Sequence, residues 1–291
     1  MLEARLQQAV LLKKVLEAVK ELVTEANFDC SEDGIRLQAM DNSHVALSSV
    51  ELRTDAFTLF RCDRPMSIGV KLDSLQKIVR TAGNDDVVTL KKDDDGDNLN
   101  LVFEAKNSDR VAEYDMKLLD IDSEHLGIPD TQYEAVVRMS SAEFSRICRD
   151  LGTLGESVKI EVSKEGVNFS TDGEIGSAKL TLKQGSGSAA APVDEDEDDD
   201  EDSKVSSGKR KRKAGGSGGG DGETIPVTIE LQQAVSLTFS HKYLSNFSKA
   251  GSLTGTVALH MSNEVPLLVE YGFEAGHVRF YLAPKLSDDD D

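Results

Sequence analysis

Apolar residues recur three and four positions apart in four stretches of the chain. In the first stretch, Leu12, Val15, Leu16 and Val19 fall on one face of a predicted helix. The four predicted amphipathic helices are Arg5–Leu22, Leu72–Ala82, Ser141–Leu154 and His241–Leu253. Ser141 is the predicted N-cap of the third helix, because a serine hydroxyl can accept a hydrogen bond from a first-turn N–H group.

Each predicted helix is followed by alternating apolar and polar residues with turn residues between them, which is typical of antiparallel hairpins. The predicted hairpins pair Asn27–Cys30 with Ile35–Met40, Val87–Lys92 with Leu99–Glu104, Val158–Val162 with Val167–Ser170, and Thr256–Met261 with Pro266–Phe273. One helix-plus-hairpin unit therefore occurs four times, two per domain. We expect an α+β fold of two similar domains with helices on one side and antiparallel sheets on the other, since neither element buries its apolar face alone.

The stretch from Gln184 to Glu223 interrupts this pattern. It is rich in Gly and Ser and contains an acidic run, Asp194–Asp202, followed by a basic run. Such a segment buries too little apolar surface to offset chain entropy, so it is predicted to be a disordered insertion. The predicted organisation is an N-terminal domain 1–117, a connector 118–133, a C-terminal domain 134–284 interrupted by 184–223, and an acidic tail 285–291.

Composition and motifs narrow the function classes. The 291 residues include three cysteines and five histidines without metal-ligand spacing, which indicates a reducing compartment, no metal and no cofactor. No apolar run has the length of a membrane span, and the N-terminus does not have the character of a signal peptide. Phosphate-binding, nucleophile-elbow and Cys/His catalytic motifs are absent from the sequence, so a non-enzymatic protein is expected.

The charge is strongly acidic, with 53 acidic and 33 basic side chains and a net charge of −20. Such a protein repels DNA unless its bases are gathered in one place. Same-face spacing on the four helices is shown by the pairs Lys13 and Lys20, Lys77 and Arg80, Arg146 and Arg149, and Lys242 and Lys249. These are either solvated helix faces or one shared positive surface. Aromatic residues make up 5% and there is no Trp, which favours sequence-independent phosphate contacts over base stacking.

Seven segments carry a resemblance to a known family. They are Met1-Leu-Glu-Ala-Arg-Leu, Leu12-Lys-Lys-Val-Leu-Glu-Ala, Met40-Asp-Asn-Ser-His-Val, Tyr114-Asp-Met-Lys-Leu, Leu126-Gly-Ile-Pro, Glu143-Phe-Ser-Arg-Ile-Cys-Arg-Asp-Leu, and Val265-Pro-Leu-Leu-Val-Glu-Tyr with Tyr281-Leu-Ala-Pro-Lys. The chain resembles the proliferating cell nuclear antigen family, the eukaryotic DNA sliding clamps, over nearly its whole length outside Gln184–Glu223. The resemblance implies a nuclear, homotrimeric ring that encircles duplex DNA and acts as a polymerase processivity factor.

The resemblance also implies where DNA and neighbouring subunits bind. The residues that would face DNA are Lys13, Lys14, Lys20, Lys77, Arg80, Arg110, Arg146, Arg149, Lys242 and Lys249. The edge strand Asp109–Lys117 would pair with Gly173–Leu182 of the next subunit. The residues of this interface would be Tyr114, Arg110, Leu151, Leu154, Ile175 and Lys179. Without the resemblance, Tyr114 would equally be a core aromatic.

A further implied site binds partner proteins. DNA polymerases, the clamp loader, flap endonuclease, ligase and mismatch-repair proteins would insert a short helical peptide into one pocket. The pocket residues would be Met40, His44, Val45, Leu47, Leu126, Ile128, Pro129, Pro266, Tyr281, Leu282, Ala283 and Pro284. Taken singly, these apolar residues are equally consistent with plain core.

Three further expectations concern modification, import and alternative functions. The resemblance assigns Lys164, in the predicted turn Ser163–Gly166, to ubiquitin or ubiquitin-like conjugation. A nuclear import signal, a DNA contact outside the ring and a passive linker all remain open for the basic run Lys209, Arg210, Lys211, Arg212 and Lys213. The alternative functions are a subunit of a heterotrimeric checkpoint clamp and a metal-dependent nuclease.

Overall fold

The computed structural model describes residues 1–122, 126–128, 131–185 and 225–285. The first half contains, in chain order, β1 (Leu2–Leu6), α1 (Ala9–Val19), β2 (Glu25–Ser31), β3 (Gly34–Met40), β4 (Ala46–Arg53), β5 (Leu59–Cys62), β6 (Met66–Lys71), α2 (Leu72–Val79), β7 (Val87–Lys92), β8 (Asn98–Glu104) and β9 (Val111–Lys117). The second half contains β10 (Ala135–Ser140), α3 (Ser141–Leu151), β11 (Ser157–Ser163), β12 (Gly166–Gly173), β13 (Gly176–Leu182), β14 (Thr228–Leu231), β15 (Val235–Ser240), α4 (His241–Ser248), β16 (Thr256–Met261), β17 (Leu267–Phe273) and β18 (Gly276–Leu282).

Among the described residues, a unit of one strand, one helix and several antiparallel strands occurs four times, beginning at β1, β6, β10 and β15. The four predicted hairpins are all confirmed. The strand that precedes each helix was not predicted. The first predicted helix begins too early, because Arg5 lies in β1, where Leu2, Ala4 and Leu6 are buried on alternate positions.

The other three helices also end earlier than predicted, α2 at Val79, α3 at Leu151 and α4 at Ser248. Ser140 is the N-cap residue of α3 and makes no side-chain capping bond, so the prediction of Ser141 as the N-cap is wrong by one residue. Ser141 is buried in the first turn instead. The helical pattern through Leu253 covers two structures, because α4 ends at Ser248 and a 3-10 turn, Lys249–Ser252, follows it.

The described strands form three antiparallel sheets. Their strand orders are β5-β1-β7-β8-β9, β14-β10-β16-β17-β18-β4-β3-β2-β6 and β13-β12-β11-β15. The second sheet runs through both halves of the chain, because β4 of the first half pairs with β18 of the second. We call this pairing the seam. Strands β9 and β13 each end a sheet, so their outer backbone groups have no strand partner in the described part of the chain.

The helices form one layer against these sheets. Helix α1 packs on α2, α3 packs on α4, and α1 also contacts the 3-10 turn after α4. Apolar side chains such as Leu16, Phe144 and Phe247 are buried between helices and sheets in one continuous core. The prediction of an α+β fold with helices on one side and sheets on the other is confirmed.

Most of the predicted insertion and of the acidic tail lies outside the described residues. At the insertion, Gly185 N–H donates a hydrogen bond to Val227 O over 2.9 Å, so the two described ends of this segment meet beside β14. The run Lys209–Lys213 and the residues after Lys285 are not among those that the structure describes.

Candidate DNA-binding and partner-binding surfaces

The helix layer contains most of the predicted DNA-facing residues. The side chains that are well exposed on it or beside it are Lys77, Arg80, Arg110, Arg146, Arg149, Lys242 and Lys249. Lys13, Lys14 and Lys20 of helix α1 and its end are half-buried. Because the four helices adjoin one another, their basic side chains belong to one surface rather than to four separate ones. Arg110 lies outside the helices, immediately before β9.

Two of the lysines have structural contacts as well. Lys13 Nζ donates to Ala82 O at 2.5 Å and to Asn84 Oδ1 at 3.1 Å, so it fixes the turn after α2 to α1. Lys20 lies 3.5 Å from Glu21, and Lys249 lies 3.8 Å from the same carboxylate. Glu21 therefore bridges the two halves of the helix layer. Exposed pairs of this kind contribute about 0–1 kcal/mol to stability.

Arginines on α3 are held more loosely. Arg146 and Arg149 lie 3.7 and 3.9 Å from Asp150, which is itself half-exposed. One carboxylate between two guanidinium groups leaves a net positive charge on this helix face. Phosphate groups could replace Asp150 as the partner of either arginine, because both guanidinium groups are exposed to solvent.

The open edges contain the predicted subunit interface. Val111 on β9 is 63% exposed and Ile175, beside β13, is 80% exposed, which are high values for large apolar side chains. Tyr114 is half-buried and its ring lies 5.6 Å from that of Phe103, so both alternatives for Tyr114 are compatible with its position. Leu151 is 1% exposed and belongs to the protomer's own core, so its side chain offers no free surface to a neighbour.

The remaining predicted interface residues lie at the surface. Leu154 is half-buried just after α3, and Lys179 is exposed on β13. The strand alternation on β13 turns Ala178, Leu180 and Leu182 toward the core side and Lys179 to the outer face.

The seam brings three of the predicted peptide-pocket residues into one row. Met40 pairs with Leu47 across β3 and β4, and Leu47 pairs with Tyr281 across β4 and β18, so these three side chains share one face. Burial raises the pKa of Tyr281 and outweighs the opposite effect of the nearby Arg279. Leu282 is 0% exposed because it points to the opposite, core-facing side, so its side chain is not part of the surface pocket.

The loop before β4 is built around one carboxylate. Asp41 accepts hydrogen bonds from the N–H groups of Ser43, Val45 and Ala46 at 3.1, 2.8 and 2.7 Å. It also accepts one from the Tyr243 hydroxyl of α4 at 2.7 Å. Burial raises the pKa of Asp41, but the hydrogen bonds from Tyr243 and the three N–H groups outweigh it and lower the pKa overall.

The same loop orients the exposed pocket residue His44, whose φ of 56° is in the left-handed region. Val45 is half-buried, and its carbonyl accepts a hydrogen bond from Ala283 N–H over 3.1 Å. This bond brings Ala283 and the half-buried Pro284 to the His44 loop. Pro266 is exposed just before β17.

The connector between the halves is attached to the sheet at separate points. Leu119 N–H donates to Gly69 O at 2.8 Å, and a Cβ on Gly69 would lie 2.1 Å from Leu119 O, so only glycine permits this approach. The buried Asn27 amide donates to Ile121 O at 2.9 Å. Gln38 forms two bonds with the Leu126 backbone, at 2.9 and 3.0 Å.

These attachments present two apolar side chains to solvent. Leu126 is 39% exposed and Ile128 is 38% exposed. A cavity of about 210 Å³ opens between the connector and the sheet. It is lined by Glu25, Ala26, Asn27, Gln38, Ala39, Met40, His44, Ile121, Asp122 and Leu126. Pro129 lies outside the described residues.

Lys164 is exposed in the tight turn between β11 and β12. The Ser163 hydroxyl accepts a hydrogen bond from Glu165 N–H over 3.3 Å, which helps to hold the turn. Among the described residues, no group of three His, Cys, Asp or Glu side chains could hold a metal ion. None of the described helices is long and apolar enough to cross a membrane.

Several of these contacts are not predicted by the sequence analysis. Asn27, Gln38 and Gly69 hold the connector, and Tyr243 bonds to Asp41 from far along the chain. The only available signal was Asp41 at a strand end before Asn and Ser, which is typical of an Asx-turn.

Two family models together match most of the chain. The family model "Proliferating cell nuclear antigen, N-terminal domain" matches residues 1–125, and the model "Proliferating cell nuclear antigen, C-terminal domain" matches 127–199 and 219–286. The unmatched residues 200–218 fall within the predicted insertion. The proliferating cell nuclear antigen of Chaetomium thermophilum is 50% identical over 291 residues, which cover 100% of both chains.

These matches favour neither the checkpoint clamp nor the nuclease. Proteins of the matched family are non-enzymatic clamps that assemble into a ring, encircle DNA and bind replication and repair proteins. The chain therefore belongs to the proliferating cell nuclear antigen family of DNA sliding clamps and polymerase processivity factors.

Proposed function

We propose that three copies of this chain close into a ring in which β9 of one protomer pairs with β13 of the next. Both strands end a sheet, and both lie beside exposed apolar side chains, Val111 and Ile175. Pairing them satisfies two open edges at once, and a head-to-tail contact closes when the rotation per protomer is one third of a turn.

The helix layer lines the hole of this ring and faces the DNA phosphates. The observation that carries this proposal is the single layer of four helices with basic side chains in an otherwise acidic protein. The predicted DNA-facing residues act through sequence-independent charge, which allows sliding. Retention depends on topology, because a closed ring cannot leave a circular duplex even when each contact is weak.

The test is retention on DNA of defined topology. The protein is loaded by a clamp loader with ATP onto a nicked circular plasmid and separated from free protein by gel filtration. We expect it to co-elute with the circle and to be released when a restriction enzyme linearises the plasmid. Retention that is the same on linear and circular DNA would contradict encirclement.

A second measurement isolates the helix charges. Arg146→Ala with Arg149→Ala removes two exposed guanidinium groups, so direct DNA binding should weaken and its salt dependence should fall by roughly 0.9 in log–log slope per lost phosphate contact. Arg36→Ala with Arg61→Ala is the matched control, since both arginines are exposed on the sheets. An equal loss in the control would indicate general charge rather than the helix layer.

The pocket at the seam and connector receives short peptide segments of DNA polymerases, the clamp loader, flap endonuclease, ligase and mismatch-repair proteins. Met40 and the exposed Leu126 support this assignment, because both line one cavity between the sheet and the connector. Leu47 and Tyr281 continue the row from Met40 across the seam, and Ile128 is exposed on the connector two residues after Leu126. A fluorescent peptide with aromatic anchors should lose affinity on Ile128→Ser. Unchanged affinity would remove Ile128 from the pocket.

Lys164 is the proposed acceptor of ubiquitin or ubiquitin-like proteins, which its exposed turn supports. Lys164→Arg should abolish conjugation in a reconstituted reaction, and unchanged conjugation would exclude the site.

We place the protein in the nucleus, where replication occurs. If the run Lys209–Lys213 directs import, its replacement by Ser moves a fluorescent fusion to the cytoplasm, and an unchanged distribution would leave DNA contact or a passive linker.

A further inference from the structure

The two open edges differ in the charge of their outer faces. On β9, Glu113 and Asp115 point outward, and both accept a hydrogen bond from the same Asn100 amide, at 2.7 and 2.9 Å. A neutral donor does not cancel their two negative charges. Asp93 and Asp97 line the same surface cavity, with Lys91 and the amino terminus as its bases.

The other edge strand, β13, has a single charged side chain, Lys179, on its outer face. Lys179 on β13 is exposed and forms no ion pair with another described residue. Lys159, in the same cavity, is already paired with Glu161 at 2.7 Å. The charge of Lys179 also helps to lower the pKa of Glu161, so two lysines share this one carboxylate. Asp172 lines the same cavity from the neighbouring strand β12, where it lies opposite Ser177, toward the beginning of β13.

Strand alternation restricts how the edges can meet. Both strands have seven residues, and full antiparallel overlap would place Tyr114 opposite Lys179. That register sets a core-facing side chain against an outward one and is excluded, because a one-residue slip exchanges the faces of a strand. The two nearest registers that join core face to core face put Lys179 opposite Glu113 or opposite Asp115.

We propose that Lys179 forms an inter-protomer ion pair with the Glu113–Asp115 edge of the next copy of this chain, which makes ring closure charge-selective. In either register Lys179 is directly opposite one carboxylate and diagonal to the other, and both positions are within cross-strand reach. Lys117 then lies opposite Ile175 or Ser177, at the end of β13 that adjoins Asp172 of β12. The inference rests on the proposed pairing of β9 with β13.

Two double-mutant cycles test it, one of Glu113→Lys with Lys179→Glu and one of Asp115→Lys with Lys179→Glu. The readout is the protomer concentration at half-dissociation of the trimer, measured by light scattering over a dilution series. We expect Lys179→Glu alone to raise this concentration about tenfold, because like charges then oppose each other at three interfaces. One double variant should return to within about twofold of the wild type, which also identifies the register.

Controls separate the charge pair from folding and from the ring itself. Glu32→Lys, in an exposed turn, makes the same charge change as Glu113→Lys and should leave the trimer unchanged. Raising the salt concentration should weaken the wild-type trimer and reduce the difference from Lys179→Glu. Thermal unfolding confirms that each variant folds. Two outcomes would overturn the ion pair alone. In the first, no charge swap changes the protomer concentration at half-dissociation. In the second, the weakening caused by Lys179→Glu persists in both double variants. A wild type that is monomeric throughout would overturn the proposed ring together with it.

Discussion

The seam and the open edges make the same kind of connection in different ways. At the seam, β4 and β18 of one chain continue a sheet between its two halves, and the chain itself keeps them at high effective concentration. At the edges, the outer sides of β9 and β13 have no strand partner among the described residues of the protomer, so pairing of these sides depends on the concentration of other copies.

The side chains at the seam and at the open edges differ in the same way. The seam is supported by a buried carboxylate, Asp41, with four hydrogen-bond donors. The edges instead have exposed apolar side chains and opposed surface charges, which a folded monomer can leave in water. The proposed subunit interface is thus built from groups that tolerate solvent, whereas the seam depends on a buried carboxylate that does not.

The largest expected effect comes from breaking the open edge at Ile175. Replacing this 80% exposed residue with Asp should raise the protomer concentration at half-dissociation at least about a hundredfold, because an apolar contact is lost and a charge is desolvated at each interface. Light scattering measures this shift. Leu59→Asp, on the edge strand β5, is the matched control, and equal weakening by both would disprove the assignment of the edge.

Removing the Asp41 hydrogen bonds that support the seam should lower the stability of the protomer without changing how β9 pairs with β13. Asp41→Ala leaves three loop N–H groups and the Tyr243 hydroxyl without their acceptor, so the free energy of unfolding should fall by about 2–4 kcal/mol. Urea denaturation at one protein concentration measures it. Asp33→Ala, at an exposed position, is the control and should have almost no effect. A similar loss of unfolding free energy in this variant would contradict the assigned role of the Asp41 hydrogen bonds.

The contribution of Asp41 should depend on pH. Its pKa is lowered in the folded state, so its stabilisation is complete above the ordinary value of 3.8 and disappears as the pH falls through the folded-state pKa. The stability difference between the wild type and Asp41→Asn should therefore be constant near neutral pH and shrink below that range. A difference that grows on acidification would contradict the assigned hydrogen bonds.

A smaller change isolates the one Asp41 hydrogen bond that joins the two halves of the chain. Tyr243→Phe removes the hydroxyl that reaches Asp41 from α4 and keeps the three loop bonds, so it should cost about 1–1.5 kcal/mol. Combined with Asp41→Ala it should add little more, because both changes remove the same bond. Full additivity in denaturation would show that the two side chains are not coupled.

The smallest effect is expected at the connector, which crosses from one half to the other outside the seam. Gln38→Ala removes two hydrogen bonds to the Leu126 backbone, so a pocket peptide should bind about three- to tenfold more weakly. Fluorescence anisotropy measures the affinity. Gln7→Ala, in an exposed loop, is the control, and an unchanged affinity for Gln38→Ala would exclude preorganisation of Leu126.

Much of the fold was predictable, because helical and alternating periodicities directly report burial. The four hairpins follow from such alternation and the turns that end it. The leading strands were missed, since β6 and β10 continue into helices without a break and no turn residue marks the boundary. Leu151 and Leu282 were assigned to surfaces by resemblance, which identifies a position but not the side to which its side chain points.

The sequence by itself determined the repeated unit, the acidic body and the basic spacing on four helices, because each depends on residues close together in the chain. Only the tertiary structure decided that Lys13 holds the turn after α2, that Gln38 and Gly69 fix the connector, and that Tyr243 reaches Asp41. These contacts join residues that are far apart in sequence, so they leave no periodic signal. They follow from the packing of the folded chain, which brings one donor within about 3 Å of one acceptor.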